Sequence, residues 1–130
     1  MATFKRFEEI EAWRKARDLV NQIYMHSNEG MFSRDFGLRD QIRRAGISIM
    51  ANIAEGYERS GTGEFLQFLA IAKGSAAEVR SHLYVALDQG YLDRKTFDNL
   101  CAEVQGTARM ISKLMGYLRT SDIKGVKYKA

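Results

Sequence analysis

The segment from Gln41 to Gly61, QIRRAGISIMANIAEGYERSG, decides how this chain is read. Ile42, Ala45, Ile49 and Ile53 recur at three- and four-residue steps, the spacing of one helical face. At roughly 100° per residue these positions define an inward direction, and Ile47, Met50 and Ala54 then fall on a flank roughly 80 to 140° away. A solitary amphipathic helix needs one buried stripe; this one carries a second apolar strip beside it. Asn52 sits at the core boundary, where its amide is expected to fix helix register by bonding to a neighbouring helix. Arg44, Ser48, Ala51 and Glu55 are placed opposite the core. Arg44 and Glu55 lie about 16 Å apart along the axis, too far to pair within one straight helix. They can pair across a symmetric contact, although a solvated face is the ordinary reading of isolated charges.

Working outward, the chain divides into four helical blocks. No proline occurs, so glycine and polar clusters mark the breaks. The first block, about 7–27, spaces Ile10, Trp13, Ala16, Val20, Ile23 and Tyr24 helically and closes at SNEGMFSRDFG. The second, about 36–57, contains the opening segment. The third, about 62–90, carries Phe65, Leu69, Ala72, Ala76, Val79, Leu83 and Leu87 on one face, with Thr62 as the expected N-cap and Gly90 as the C-terminal glycine. The fourth, about 93–119, is capped by Asp93 and continues through Phe97, Leu100, Val104, Ala108, Ile111, Met115 and Leu118. Long helices joined by short loops pack most economically as antiparallel neighbours, so the expected fold is all-α, a single up-down-up-down four-helix bundle. The segment 120–130 has no clear apolar face and is expected to form a mobile basic tail.

Composition agrees with one globular domain. The chain has 130 residues, 45% of them hydrophobic and 28% charged. Its net charge of +4 favours polyanionic partners, but Lys124, Lys127 and Lys129 supply much of the excess. A single cysteine, Cys101, cannot form an internal disulfide, and its apolar setting predicts a reduced, buried thiol. The N-terminus lacks the apolar core of a secretory signal, and no apolar run approaches the roughly 20 residues of a membrane span. A cytoplasmic location without membrane contact is expected.

Helix three has an oddity matching that of helix two: Ala70, Gly74, Ala77 and Ser81 form a small-residue stripe displaced from its core face. Both strips can tighten packing within one bundle. Burial against another subunit is the favoured reading, because an apolar patch without a partner is unusual in a soluble monomer. The expected subunit interface is thus Arg44, Ile47, Met50, Ala54 and Glu55 with Ala70, Gly74, Ala77 and Ser81.

Two longer stretches, FEEIEAWRKARDLVNQIY and FGLRDQIRRAGISIMANIAEGYERSGTGEFLQFLAIAKGSAAEV, resemble the family named for proteins encoded in intervening sequences of bacterial 23S ribosomal RNA genes, sometimes labelled S23 ribosomal proteins. The resemblance spans about residues 4–119 and implies a four-helix bundle. A related branch, the accessory variability protein of diversity-generating retroelements, forms a basic homopentamer that binds reverse transcriptase and RNA, so the resemblance implies a homo-oligomer, with a pentamer preferred. Met50 stands where the family's SI-Pro-x-NIAEG pattern has proline, and a loop proline before FGL is also missing. A straighter second helix with a less fixed start is expected.

Catalysis is hard to build from these residues. His26 and His82 lie on different helices, and Cys101 has no evident base beside it in sequence. Di-iron bundles use Glu-x-x-His pairs on two helices, whereas Glu78 and His82 stand at i, i+4 and occur once. GTGEFLQF lacks the lysine and the preceding strand of a phosphate-binding loop. No catalytic residue, metal, cofactor or small-molecule substrate is expected. For nucleic acid, the candidates are Arg14 and Lys15 on helix one, Arg34, Arg39, Arg43 and Arg44 around the start of helix two, and the tail lysines Lys124, Lys127 and Lys129. Oligomerisation multiplies such patches. Glu8, Glu9, Glu11 and Asp18 interleave with the cations of helix one, as on an ordinary solvated helix. The expected function is binding of structured RNA or an RNA-handling protein, with a protein-only scaffold or adaptor as the alternative.

Overall fold

A computed structural model describes residues 4–120, which fold into four helices: α1 (Glu11–Ser27), α2 (Phe36–Glu58), α3 (Thr62–Asp88) and α4 (Arg94–Thr120). Among the described residues there is no strand. Each helix packs on its neighbour in the chain and α4 packs back on α1, an arrangement compatible with the up-down-up-down order. The core runs through the middle of the four, with Leu19, Ile49, Ile53, Leu69, Val79 and Ile111 inaccessible to solvent. No helix among the described residues is long and apolar enough to cross a membrane.

The helix ends follow from local chemistry. Residues Phe7–Glu9 form a separate 3-10 turn, so α1 begins at Glu11 rather than near Phe7. Asp35 caps α2: its Oδ1 accepts from the Leu38 amide at 3.1 Å, satisfying a donor that the first helical turn leaves orphaned. Asp93 does the same for α4, accepting from Thr96 at 2.8 Å, and that bond holds its carboxyl below the usual carboxylate range. At the start of α3 the expectation fails. Gly61 occupies the cap position and Thr62 is the first helical residue, its hydroxyl buried without a hydrogen-bond partner among the described residues. The end of α3 conforms: Gly90 has φ +79°, its amide donates to Leu87 and the Tyr91 amide to Ala86, the paired bonds of a Schellman turn.

The phase of α1 differs from the expected one. Ala12, Ala16, Leu19 and Ile23 form its buried stripe, while Val20 is half-buried and Tyr24 is 40% exposed. Helix α2 keeps the expected phase, with Ile42, Ile49 and Ile53 buried, and it runs unbroken through Met50. Its crossing with α3 is close at Gly56, where a Cβ would stand 2.6 Å from the Phe68 Cβ and 3.0 Å from the Phe65 ring. Only a residue without a side chain admits that approach.

Ser48 does not face away from the core. Its hydroxyl lies 2.9 Å from that of buried Ser75 on α3, so it belongs to the seam between the two helices. The Asn52 amide turns back on its own helix, donating to the Ser48 carbonyl at 2.8 Å and the Ser48 hydroxyl at 3.0 Å. The bond to a neighbouring helix expected of Asn52 is made by Ser48.

Candidate nucleic-acid interface

The arginines around the start of α2 gather at one corner of the bundle, where α1 ends, the 3-10 turn Gly30–Arg34 crosses over, and α2 begins. Asp35 anchors this corner twice. Besides capping α2, its Oδ2 accepts from the Tyr91 hydroxyl at 2.9 Å, and Tyr91 stacks on buried Phe32 with ring centroids 5.4 Å apart. The hydrogen bond to Asp35 is the main reason the Tyr91 phenol is pushed above its ordinary value, because ionisation removes the donor.

The candidate cations then divide by what they touch. Arg39 donates to the Ser33 carbonyl and to Asp40, each at 3.1 Å, and its guanidinium lies 4.8 Å from the Phe36 ring centroid. Arg43 donates to the buried Ser27 hydroxyl at 2.8 Å while its guanidinium covers the Tyr24 ring at 4.3 Å, tying α2 to α1. Arg14 donates to the Glu8 carbonyl at 2.7 Å, and Lys15 pairs with Glu103 on α4. Arg34 and Arg44 are exposed and have no side-chain partner among the described residues. Lys124, Lys127 and Lys129 lie outside the described residues.

Residues assigned to separate roles from sequence come together here. Tyr24, Asp40, Arg43, Arg44 and Ile47 line one shallow pocket of about 310 Å³ between α1 and α2. A larger concavity of about 490 Å³ lies between α1 and α4, but Glu9 and Glu11 line it with Lys113 among apolar groups, a balance that does not favour phosphate. Sequence reasoning missed the exposed side chains beside the arginines: Met25 (55%), Met31 (63%) and Phe36 (62%). Position alone did not mark them: Met25 and Phe36 lie at helix ends, and Phe32, in the same turn as Met31, is buried.

Arg44 and Ile47, expected at a subunit contact, line the pocket of the arginine corner; the other candidate subunit contacts occupy other surface. Ile47 is 42% exposed, whereas Met50 and Ala54 are half-buried and Met50 packs on the core. Glu55 pairs with Arg59, the residue that ends its own helix, at 3.2 Å. Ala70, Gly74, Ala77 and Ser81 are all exposed on α3, and among the described residues nothing lies within 4 Å of a Cβ placed at Gly74. Exposed Ile71 and Val85 extend this open face. Among the described residues no three histidine, cysteine, aspartate or glutamate side chains are grouped to hold a metal ion.

Comparison with known proteins adds family and fold. The model of the 23S rRNA-intervening sequence protein family matches residues 8–113. A crystal structure of a protein of unknown function from the S23 ribosomal protein family of Bacteroides thetaiotaomicron VPI-5482 superposes with a TM-score of 0.73 at 21% identity, covering 80% of this chain and 97% of that one. At that identity the likeness is one of fold. The comparison with curated proteins found no significant match.

Proposed function

The chain belongs to the 23S rRNA-intervening sequence protein family, and from that premise we propose that it is a non-catalytic, homo-oligomeric four-helix bundle that binds RNA or a ribonucleoprotein. The observation that carries this reading is the arginine corner. Arg34 and Arg44 are exposed and uncommitted among the described residues, while Arg39 and Arg43 are held in place by Ser33, Asp40 and Ser27. Fixed guanidinium groups beside free ones suit phosphate, because less side-chain freedom is lost on binding. Arg14 and Lys15 belong to the bundle's own bonding and play a smaller part.

Assembly supplies the rest of the field. The open α3 face around Gly74 supports self-association, with the five copies implied by the family resemblance as the working stoichiometry, and each added copy repeats the arginine corner. The same open face favours a second reading, a protein adaptor without nucleic-acid contact.

Salt titration separates the two. Binding of rRNA fragments should weaken linearly in log-log form, with a slope of about −0.7 to −0.9 per phosphate neutralised. Failure to bind any fragment at low ionic strength, using the full chain, rejects RNA and leaves the adaptor. Assembly is read independently by light scattering: Gly74→Leu and Ala77→Glu both act at exposed positions of α3, and an unchanged mass in both variants removes this face from the contact.

A further inference from the structure

Resting on the proposed RNA reading, we propose that the corner between α1 and α2 recognises unpaired RNA bases by stacking, so that single-stranded or looped RNA is its ligand class and duplex RNA is not. Phe36 and Tyr24 are aromatic rings exposed at 62% and 40%, and each has an arginine guanidinium against it, Arg39 at 4.8 Å and Arg43 at 4.3 Å. Phe36 and Arg43 are seven residues apart, which places them on the same side of α2 and about 10 Å apart along it. Ile47, one further turn along that side, forms the end of the pocket shared by Tyr24, Arg43 and Arg44.

Charge and geometry select the occupant together. The corner's arginines are Arg34, Arg39, Arg43 and Arg44, and His26 adds an imidazole near Asp93. Its carboxylates are Glu29, Asp35, Asp40 and, beside His26, Asp93, of which Asp35 is committed to the α2 cap and Tyr91, Asp40 to Arg39 and Asp93 to the α4 cap. Cations flanking open rings suit a ligand that carries negative charge and flat apolar faces at once. An unpaired nucleotide has both, whereas a duplex hides its base faces in the stack and offers only phosphate and groove edges. A second copy meeting this corner through a twofold would bring the same arginines against one another. A guanidinium held this close to a ring contributes a cation–π attraction, and arginine also stacks on aromatic faces.

The test is fluorescence anisotropy with the full chain at low ionic strength, comparing a short mixed-sequence single-stranded oligoribonucleotide with its blunt duplex. Tighter binding of the single strand is expected. Phe36→Ala should weaken that binding by about fivefold or more with an unchanged salt slope, since no charge is removed. Phe36→Trp should retain affinity, and its added emission should be quenched as RNA binds. Because Phe36 lies on the exposed first turn of α2, an unchanged circular-dichroism melt verifies that Phe36→Ala still folds. Equal binding of both probes with a neutral Phe36→Ala overturns the stacking inference and leaves RNA binding standing. No binding of either probe by the unaltered chain overturns both. A change of assembly mass in Phe36→Ala assigns the corner to a second copy and overturns the inference as well.

Discussion

Ser48 on α2 and Ser75 on α3 meet hydroxyl to hydroxyl at 2.9 Å, and the Asn52 amide donates to the same Ser48 oxygen from one turn further along. The three side chains form a polar relay inside an otherwise apolar seam. Such a group is satisfied only in one register of the two helices, because sliding either by a turn separates the hydroxyls and leaves buried Ser75 without its partner.

Removing both hydroxyls should therefore cost less than the two single removals added together. Ser48→Ala and Ser75→Ala are each expected to lower stability by about 1–2 kcal/mol, and the double variant should fall well short of the sum. Urea unfolding of the four-member cycle measures this. Additive losses mean that the two hydroxyls act separately.

Two glycines should respond oppositely to alanine. At Gly56 the new Cβ meets Phe68 and Phe65 at 2.6 and 3.0 Å, so Gly56→Ala is expected to destabilise by about 1–3 kcal/mol, less about 1 kcal/mol regained in helix propensity. At Gly74 the Cβ meets nothing within 4 Å among the described residues, so Gly74→Ala should stabilise the subunit by up to about 1 kcal/mol. Thermal melts check both.

Alkaline pH should weaken the fold through two phenols. The Tyr57 hydroxyl donates to the Phe4 carbonyl at 2.6 Å, and burial followed by nearby Glu58 and Glu9 pushes its pKa above the ordinary 10.0; Tyr91 is raised chiefly by its bond to Asp35. Both groups hold the proton more tightly folded than unfolded. Their contribution is fully present below the unfolded value and is lost as pH rises through the higher folded values. Chemical denaturation at stepped pH should show stability falling above about pH 10, and Tyr57→Phe with Tyr91→Phe should flatten that decline.

Cys101 should be a slow thiol. It is half-buried, and desolvation raises its pKa, outweighing the opposite influence of Arg80 and Arg94. Alkylation of the folded chain near pH 8 is expected to lag behind that of the urea-unfolded chain, with its pH–rate curve displaced upward. Equal rates in the two states contradict the shielding.

Much of the architecture is legible in the chain because its signals are local. The period of Ile42, Ile49 and Ile53, the glycine after α3 and the aspartate before α4 each act within a few residues of where they sit. The phase of α1 is less legible because Trp13, Val20 and Tyr24 serve at the boundary of the core as readily as inside it, and Leu19 is recognised as central only when its neighbours are in place. The candidate interface follows the same division. Arginines can be located by reading, but Lys15 is bound to Glu103, 88 positions away, and Arg43 to Ser27 across a turn. Those commitments decide which cations remain available, and they exist only once distant segments have met. The exposure of Phe36 and Met31 is likewise a property of the corner that the turn builds.

The connections also imply an order of events in time. Helices α2 and α3 are separated only by Arg59–Gly61 and share the most extensive packing, whereas the pairing of α1 with α4 closes a span that Lys15 and Glu103 bridge. Closing the short link costs little chain entropy and the long one more, so the central hairpin should be the nucleus and the return of α4 onto α1 the final step. Damage at Gly56 should accordingly slow folding, while loss of the Lys15 contact should mainly hasten unfolding.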